Sequence, residues 1–200
     1  DYSKLDAGRL ELHSESVSLN RIVDKSVRMM RQEAEGEDIT LIGKTSEIEG
    51  MIWGDEQKVT QIVLNLVSNA IKFTPPKGIV TVSLHEAEDG VDIQVTDSGI
   101  GMSPSDIELA LAPFGQVDSA LSRRHAGTGL GLPLSKSLAE LHGGSLKIAS
   151  APGEGTTVTV HLSRKPADTD EAPALRLVMG GGTGIAPCHG RTGRIEASGP

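Results

Sequence analysis

The sequence predicts an α/β fold. Segments with the three- and four-residue apolar repeat of a helix interleave with shorter segments that alternate like strands. The helical repeat is clearest over 18–31, 55–73 and 130–142, and the alternation over 79–86 and 91–96. Gly and Pro then punctuate the chain where these patterns break.

The elements follow in order. Residues 1–12 resemble the end of a helix. In 18–31, Leu19, Ile22, Val23, Val27 and Met30 make one apolar face, and Ser18 is a candidate N-cap. Residues 39–43 and 48–53 read as short strands around a polar turn. Asp55 caps a long helix that runs to Phe73 and stops at Pro75-Pro76. Strands 79–86 and 91–96 flank Glu88-Asp89-Gly90 as a hairpin. Ser103-Pro104-Ser105-Asp106 is a helix start, with Ser as cap and Pro in the first turn. Residues 115–126 are polar and irregular. The next helix opens on glycines near 130, tolerates Pro133 in its first turn, and ends at Gly143-Gly144. Strands 145–149 and 156–162 enclose the turn Pro152-Gly153-Glu154-Gly155. From Arg164 onward periodicity disappears, and 164–200 reads as a flexible Gly/Pro-rich tail. The run Gly180-Gly181-Gly182 has neither strand nor lysine to frame a phosphate loop.

Composition narrows the function. A net charge of −8 argues against nucleic-acid binding, which needs a basic face. No apolar run reaches the ~20 residues of a membrane span. The single cysteine, Cys188, rules out an internal disulfide framework and a cysteine-rich zinc site. The expectation is a cytoplasmic module, with any membrane anchor outside this chain.

Chemistry concentrates in a few places. At ~100° per residue, Gln61, Asn65, Asn69 and Lys72 share one side of helix 55–73, beside its apolar face. A carboxamide oxygen suits Mg²⁺, and a lysine suits a phosphate. Asp97, in Asp97-Ser98-Gly99-Ile100-Gly101, is a carboxylate at a strand end, flanked by glycines that allow close approach of a flat ring. In "GTGLGL" (127–132), Gly127, Gly129 and Gly131 fit neither the phosphate-loop nor the dinucleotide glycine pattern. They still open a helix whose bare N–H groups face anions well. "GEGT" (153–156) is a turn whose Thr156 could support Asp97.

In this order the motifs resemble the nucleotide-binding domain of sensor histidine kinases, in the superfamily shared with gyrase, heat-shock chaperones and mismatch-repair ATPases. "NLVSNAIKF" (65–73) is similar to the N box, "DSGIG" (97–101) to G1, "PFGQ" (113–116) to the end of the F box, "GTGLGL" to G2 and "GEGT" to G3. Residues 1–163 carry the resemblance. It implies a two-layer α/β sandwich, a mixed sheet of about five strands with three main helices on one face (the Bergerat-type ATP-binding fold). It divides the chain into the end of a dimerisation helix and linker (1–14), the catalytic domain (15–163) and the tail (164–200).

The resemblance also implies roles. Asp97 would accept from the adenine amine, with Gly99, Gly101 and Thr156 around it. Asn69 would hold Mg²⁺ with Asn65 alongside. Lys72 and Arg124 would act on the phosphates, with His125, Gly127, Thr128, Gly129, Leu130, Gly131 and Leu132 cradling the nucleotide. Segment 102–126 would be a lid. Hydrolytic relatives carry Glu where this chain has Asn65; a carboxamide cannot take a proton from water, which favours phosphoryl transfer over hydrolysis. One departure is "LALAPF", with Leu111 in place of the usual aromatic. The implied partners are ATP, Mg²⁺, a dimerisation domain bearing the acceptor histidine, a response regulator receiver domain, and a second copy in a full-length homodimer. None of the six histidines has the family's acceptor context. His142, before Gly-Gly, suits a structural place facing the helix dipole, and His85 and His161 suit strand surfaces. Two other readings stay open: a degenerate docking module of a phosphorelay, and an anti-sigma-type serine kinase.

Overall fold

The computed structural model describes residues 12–45, 48, 50–116 and 128–164. The chain divides into the units Asp1–Ala167 and Asp168–Pro200, and every described residue belongs to the first. Most of segment 1–12 and nearly all of the tail therefore lie outside the described residues.

The elements are β1 (Glu15–Ser18), α1 (Leu19–Gly36), β2 (Thr40–Lys44), β3 (Met51–Gly54), α2 (Glu56–Phe73), β4 (Ile79–Glu86), β5 (Gly90–Asp97), α3 (Pro104–Leu111), α4 (Gly131–Leu141), β6 (Ser145–Ala151) and β7 (Gly155–Ser163). A mixed five-stranded sheet runs in the order β2-β4-β5-β7-β6. Only the β2–β4 pair is parallel. Alternation sets its two faces. Val80, Val82, Leu84, Val91, Ile93, Val95, Val158, Val160 and Leu162 are buried under the helices, while Thr96 and His85 on the other face are exposed. Helices α1, α2 and α4 cover the apolar face, with α2 in the middle. Its apolar stripe, Val59, Ile62, Val63, Leu66, Val67, Ala70 and Ile71, is wholly buried.

The helix starts form as the sequence indicates. The Ser18 side chain caps α1, Asp55 caps α2, and Ser103 with Asp106 forms a reciprocal capping box on α3. Helix α1 runs past residue 31 to Gly36, since Ala34 continues its buried face.

One expectation fails. Strands 39–43 and 48–53 do not pair around a turn. β2 joins the main sheet beside β4, whereas β3 pairs antiparallel with β1 in a separate two-stranded sheet. Asn20 on α1 holds the connection between them. Its Nδ2 donates to the carbonyls of Thr45 and Ile48, and its Oδ1 accepts from the Gly50 N–H at 2.9 Å. The polar connection is thereby tied to a helix rather than closed as a hairpin. β1 escaped the sequence reading because a four-residue strand shows too little alternation.

Candidate nucleotide site

A cleft of about 350 Å³ opens between the C-terminal half of α2, the end of β5 and the start of α4. This is within the range of small-molecule pockets. Its floor is aliphatic, from Leu66, Val95 and Val158. Polar groups converge at the rim: Asn69 and Lys72 from α2, Asp97 from β5, and Thr156 from β7.

Strand parity explains two of these. Positions 91, 93 and 95 face the helices, so Asp97 faces them too, at the strand's open end. Thr156 sits directly across from it in the β5–β7 register. Asp97 is anchored through one oxygen: Oδ1 accepts from the N–H of Gly99 (2.8 Å) and of Thr156 (3.1 Å). Among the described residues nothing donates to Oδ2. Burial pushes the Asp97 carboxyl above the ordinary carboxylate value, against the pull of those two N–H groups.

The glycines around Asp97 are required by contact. A side chain at Gly99 would meet the Phe73 carbonyl oxygen at 2.5 Å. At Gly101, φ is +65° and a Cβ would lie 1.8 Å from the Ala151 carbonyl oxygen. These close approaches hold the 98–102 loop against α2 and the β6–β7 turn. Gly99 lies behind the carboxylate, and Gly101 lines the cleft.

At the opposite rim, Thr128, Gly129, Gly131, Leu132 and Pro133 line the cleft. Gly129 has φ +68°, and its carbonyl accepts from the Phe114 N–H (3.1 Å), which joins the α3 end to the opening of α4. Leu130 is the N-cap of α4 and gives no side-chain cap, so among the described residues no side chain caps the first N–H groups, on Gly131 and Leu132, which line the cleft. Pro133 costs nothing in this first turn. Unlike the others, Gly131 has room: a Cβ there would lie 3.6 Å from Asn69 Nδ2.

Lys72 lines the cleft with Nζ 5.0 Å from the Phe73 ring centroid, and burial lowers its pKa from the usual lysine value. Phe73 carried no role in the sequence reading. Asn65 stands outside the lining. Its Nδ2 lies 3.5 Å from the Gly131 carbonyl oxygen and 3.4 Å from Ser135 Oγ, so it ties α2 to α4. Arg124, His125 and Gly127 fall outside the described residues, as does most of the second half of the expected lid.

Among the described residues no group of three His, Cys, Asp or Glu side chains could hold a metal. Asn69 contributes one neutral oxygen to the cleft. That donor set fits a Mg²⁺ that keeps its waters and takes its other ligands from phosphates.

His142 takes the structural place expected of it: it closes α4, buried, with its ring against a carbonyl of the last turn, and it does so as a neutral imidazole. The Asp55 N–H donates to Nε2 (3.0 Å), so Nδ1 carries the proton and donates to the Leu138 carbonyl (2.7 Å). Burial holds its pKa below the ordinary histidine value. His161 lies between Asp92 (2.8 Å) and Asp89 (3.2 Å), and exposed His85 bonds Ser83.

The family model described as histidine kinase-, DNA gyrase B- and HSP90-like ATPase matches residues 54–166. The chain belongs to this ATPase family. Its curated relatives include proteins named as histidine kinases. It is 41% identical over 162 residues to histidine protein kinase DivJ of Caulobacter vibrioides, covering 81% of this chain and 27% of DivJ. It is 42% identical over 175 residues to the non-motile and phage-resistance protein of the same organism, covering 84% of this chain and 20% of that protein. Full-length ShkA, solved in complex with AMPPNP, superposes with a TM-score of 0.72 at 26% identity, over 83% of this chain and 35% of that one. The chain thus spans about a sixth to a third of the length of the curated relatives it matches. Within these kinases it corresponds to the ATPase-like domain that the family model describes. No described helix is long and apolar enough to cross a membrane.

Proposed function

We propose that this domain binds Mg²⁺-ATP in the cleft and directs the γ-phosphoryl group to a histidine on an acceptor domain outside this chain. That phosphoryl group then passes to a receiver-domain aspartate. The observation that carries the reading is the unspent Oδ2 of Asp97 above an aliphatic floor. A carboxylate fixed through Oδ1 leaves one acceptor at a set position for an exocyclic amine, with apolar surface for the ring. At the other rim, Lys72 and the Gly131 and Leu132 N–H groups face the phosphate end.

Phosphoryl transfer asks mainly for position and charge. The imidazole nitrogen of the acceptor forms the new P–N bond as the bond to the β-phosphate oxygen breaks, and ADP leaves. Mg²⁺, held by Asn69 and the phosphates, would neutralise charge on those oxygens. No carboxylate at position 65 is present to activate water, so transfer is favoured over hydrolysis. Arg124 and His125 are proposed to complete the phosphate end from the lid. In the full-length protein a homodimer would bring the acceptor helix to this cleft, on the cytoplasmic side.

Calorimetric titration tests the reading. Saturable binding of Mg²⁺-ATP is expected, and no saturation at millimolar nucleotide would overturn it. Asn69→Ala should weaken binding in Mg²⁺ more than binding in EDTA. Equal losses would remove Asn69 as a metal ligand.

A further inference from the structure

The cleft holds two acceptors at its base end only if the Thr156 hydroxyl is oriented as one, and its orientation is fixed from outside the cleft. Asp97, Thr156 and Ser150 are consecutive positions in one cross-strand row, Asp97 opposite Thr156 and Thr156 opposite Ser150. All three face the helix side of the sheet. Ser150 is on the edge strand β6, outside every motif that the sequence singles out, and does not line the cleft.

Its hydroxyl makes three contacts. It accepts from the Met102 N–H (2.8 Å), donates to the Gly155 carbonyl (2.8 Å), and lies 3.0 Å from Thr156 Oγ1. A serine hydroxyl has one proton and two acceptor sites. The proton is committed to Gly155 and one acceptor site to Met102. The contact with Thr156 can then run only one way, with Thr156 donating and Ser150 accepting. Thr156 Oγ1 is left with acceptor capacity alone toward the cleft that Asp97 also lines.

We infer that Ser150 is a specificity-determining positioning residue: it sets the hydrogen-bond polarity of Thr156 so that the base end of the cleft accepts an amino group and rejects a carbonyl. This inference rests on the nucleotide reading above. Without Ser150 the Thr156 hydroxyl can turn and donate, and a base with a carbonyl in the amine's place meets a donor instead of a second acceptor. The same hydroxyl also holds the Met102 end of the loop after β5 to the β6–β7 turn, so polarity and loop position are set by one atom.

The experiment compares Mg²⁺-ATP with Mg²⁺-ITP, which carries a carbonyl where adenine has its amine. Both are titrated calorimetrically into the wild type, Ser150→Ala, Ser150→Thr and Thr156→Val. The wild type should prefer ATP. Ser150→Ala should lower the ATP-to-ITP affinity ratio by about fivefold to tenfold, the scale of one hydrogen bond. Thr156→Val removes the hydroxyl itself, keeps the backbone N–H on Asp97, and should lower the ratio similarly. Ser150→Thr retains a hydroxyl and should keep the wild-type ratio. An unchanged ratio in Thr156→Val overturns the inference even if Ser150→Ala fails to fold. Equal losses for both nucleotides in Ser150→Ala, or a lost preference in Ser150→Thr, also overturn it. Failure of the wild type to bind either nucleotide would instead remove the underlying nucleotide reading.

Discussion

Two aspartates stand at strand ends beside the same helix, and their environments drive them apart. Asp55, after β3, caps the start of α2. Its Oδ1 accepts from the N–H of Gln57 (3.0 Å) and Lys58 (3.1 Å), and its Oδ2 from the N–H of His13 (3.1 Å). Its own N–H is taken by His142. Burial alone would raise its pKa, but these donors together bring it below the ordinary value. Asp97, beside the other end of α2, has half its carboxylate committed and a raised pKa. Saturated polar groups hold a fold together. A group left unsatisfied at a rigid site is available to a ligand. The helix is thus fastened at its start and offers chemistry near its end.

The largest test of this contrast is His142→Ala. It leaves the Asp55 N–H without its acceptor and a void at the α4 end, for a loss of about 2–4 kcal/mol of stability. Chemical denaturation reads this, and nucleotide affinity of the folded protein should stay within about twofold. An unchanged midpoint would break the assignment of this end to structure.

Asp97→Asn is the converse. It should remove roughly 1.5–3 kcal/mol of Mg²⁺-ATP affinity, the scale of a charge-assisted hydrogen bond. Stability should hold or rise, because burial penalises the charge that is removed. Unchanged affinity in calorimetry would sink the adenine role.

The smallest effect is in pH. Below about 6.5 an unfolded histidine takes up a proton that native His142 resists. Its contribution is therefore full above that value and falls as pH drops toward its lowered native pKa. Asp55 likewise stabilises above its unfolded value of 3.8 and loses that contribution as pH falls through its lowered native pKa. Asp97 has the opposite sign: its ionisation costs stability as pH rises from 3.8 through its raised native pKa. Denaturation from pH 3 to 8 should show stability rising more steeply on the acid side in Asp97→Asn than in the wild type. A shallower rise would mean that Asp97 is not held in the environment described.

Much of the site was legible in the chain. The helical spacing of Asn69 and Lys72, the alternation ending on Asp97, and the glycines that only close packing explains all lie in local pattern. Less legible were contacts made by single side chains across long separations. Asn20 binds the β2–β3 connection 25 to 30 residues away. His142 reaches Asp55 across 87 positions. Asn65 lies on the same helical side as Asn69, yet it faces α4 instead of the cleft, because α4 crosses that side one turn earlier.

Local pattern in the chain was enough for every element type except β1, for the capped starts of α1, α2 and α3, and for the strand parity that carries Asp97. Those follow from period, parity and capping chemistry, which act within a few residues. Packing settled which strands pair, which protonation state His142 holds, and which oxygen of Asp97 takes the Gly99 and Thr156 N–H groups. These depend on donors and acceptors that meet only once distant segments pack. Satisfaction of hydrogen bonds belongs to the assembled core, and no local pattern encodes it.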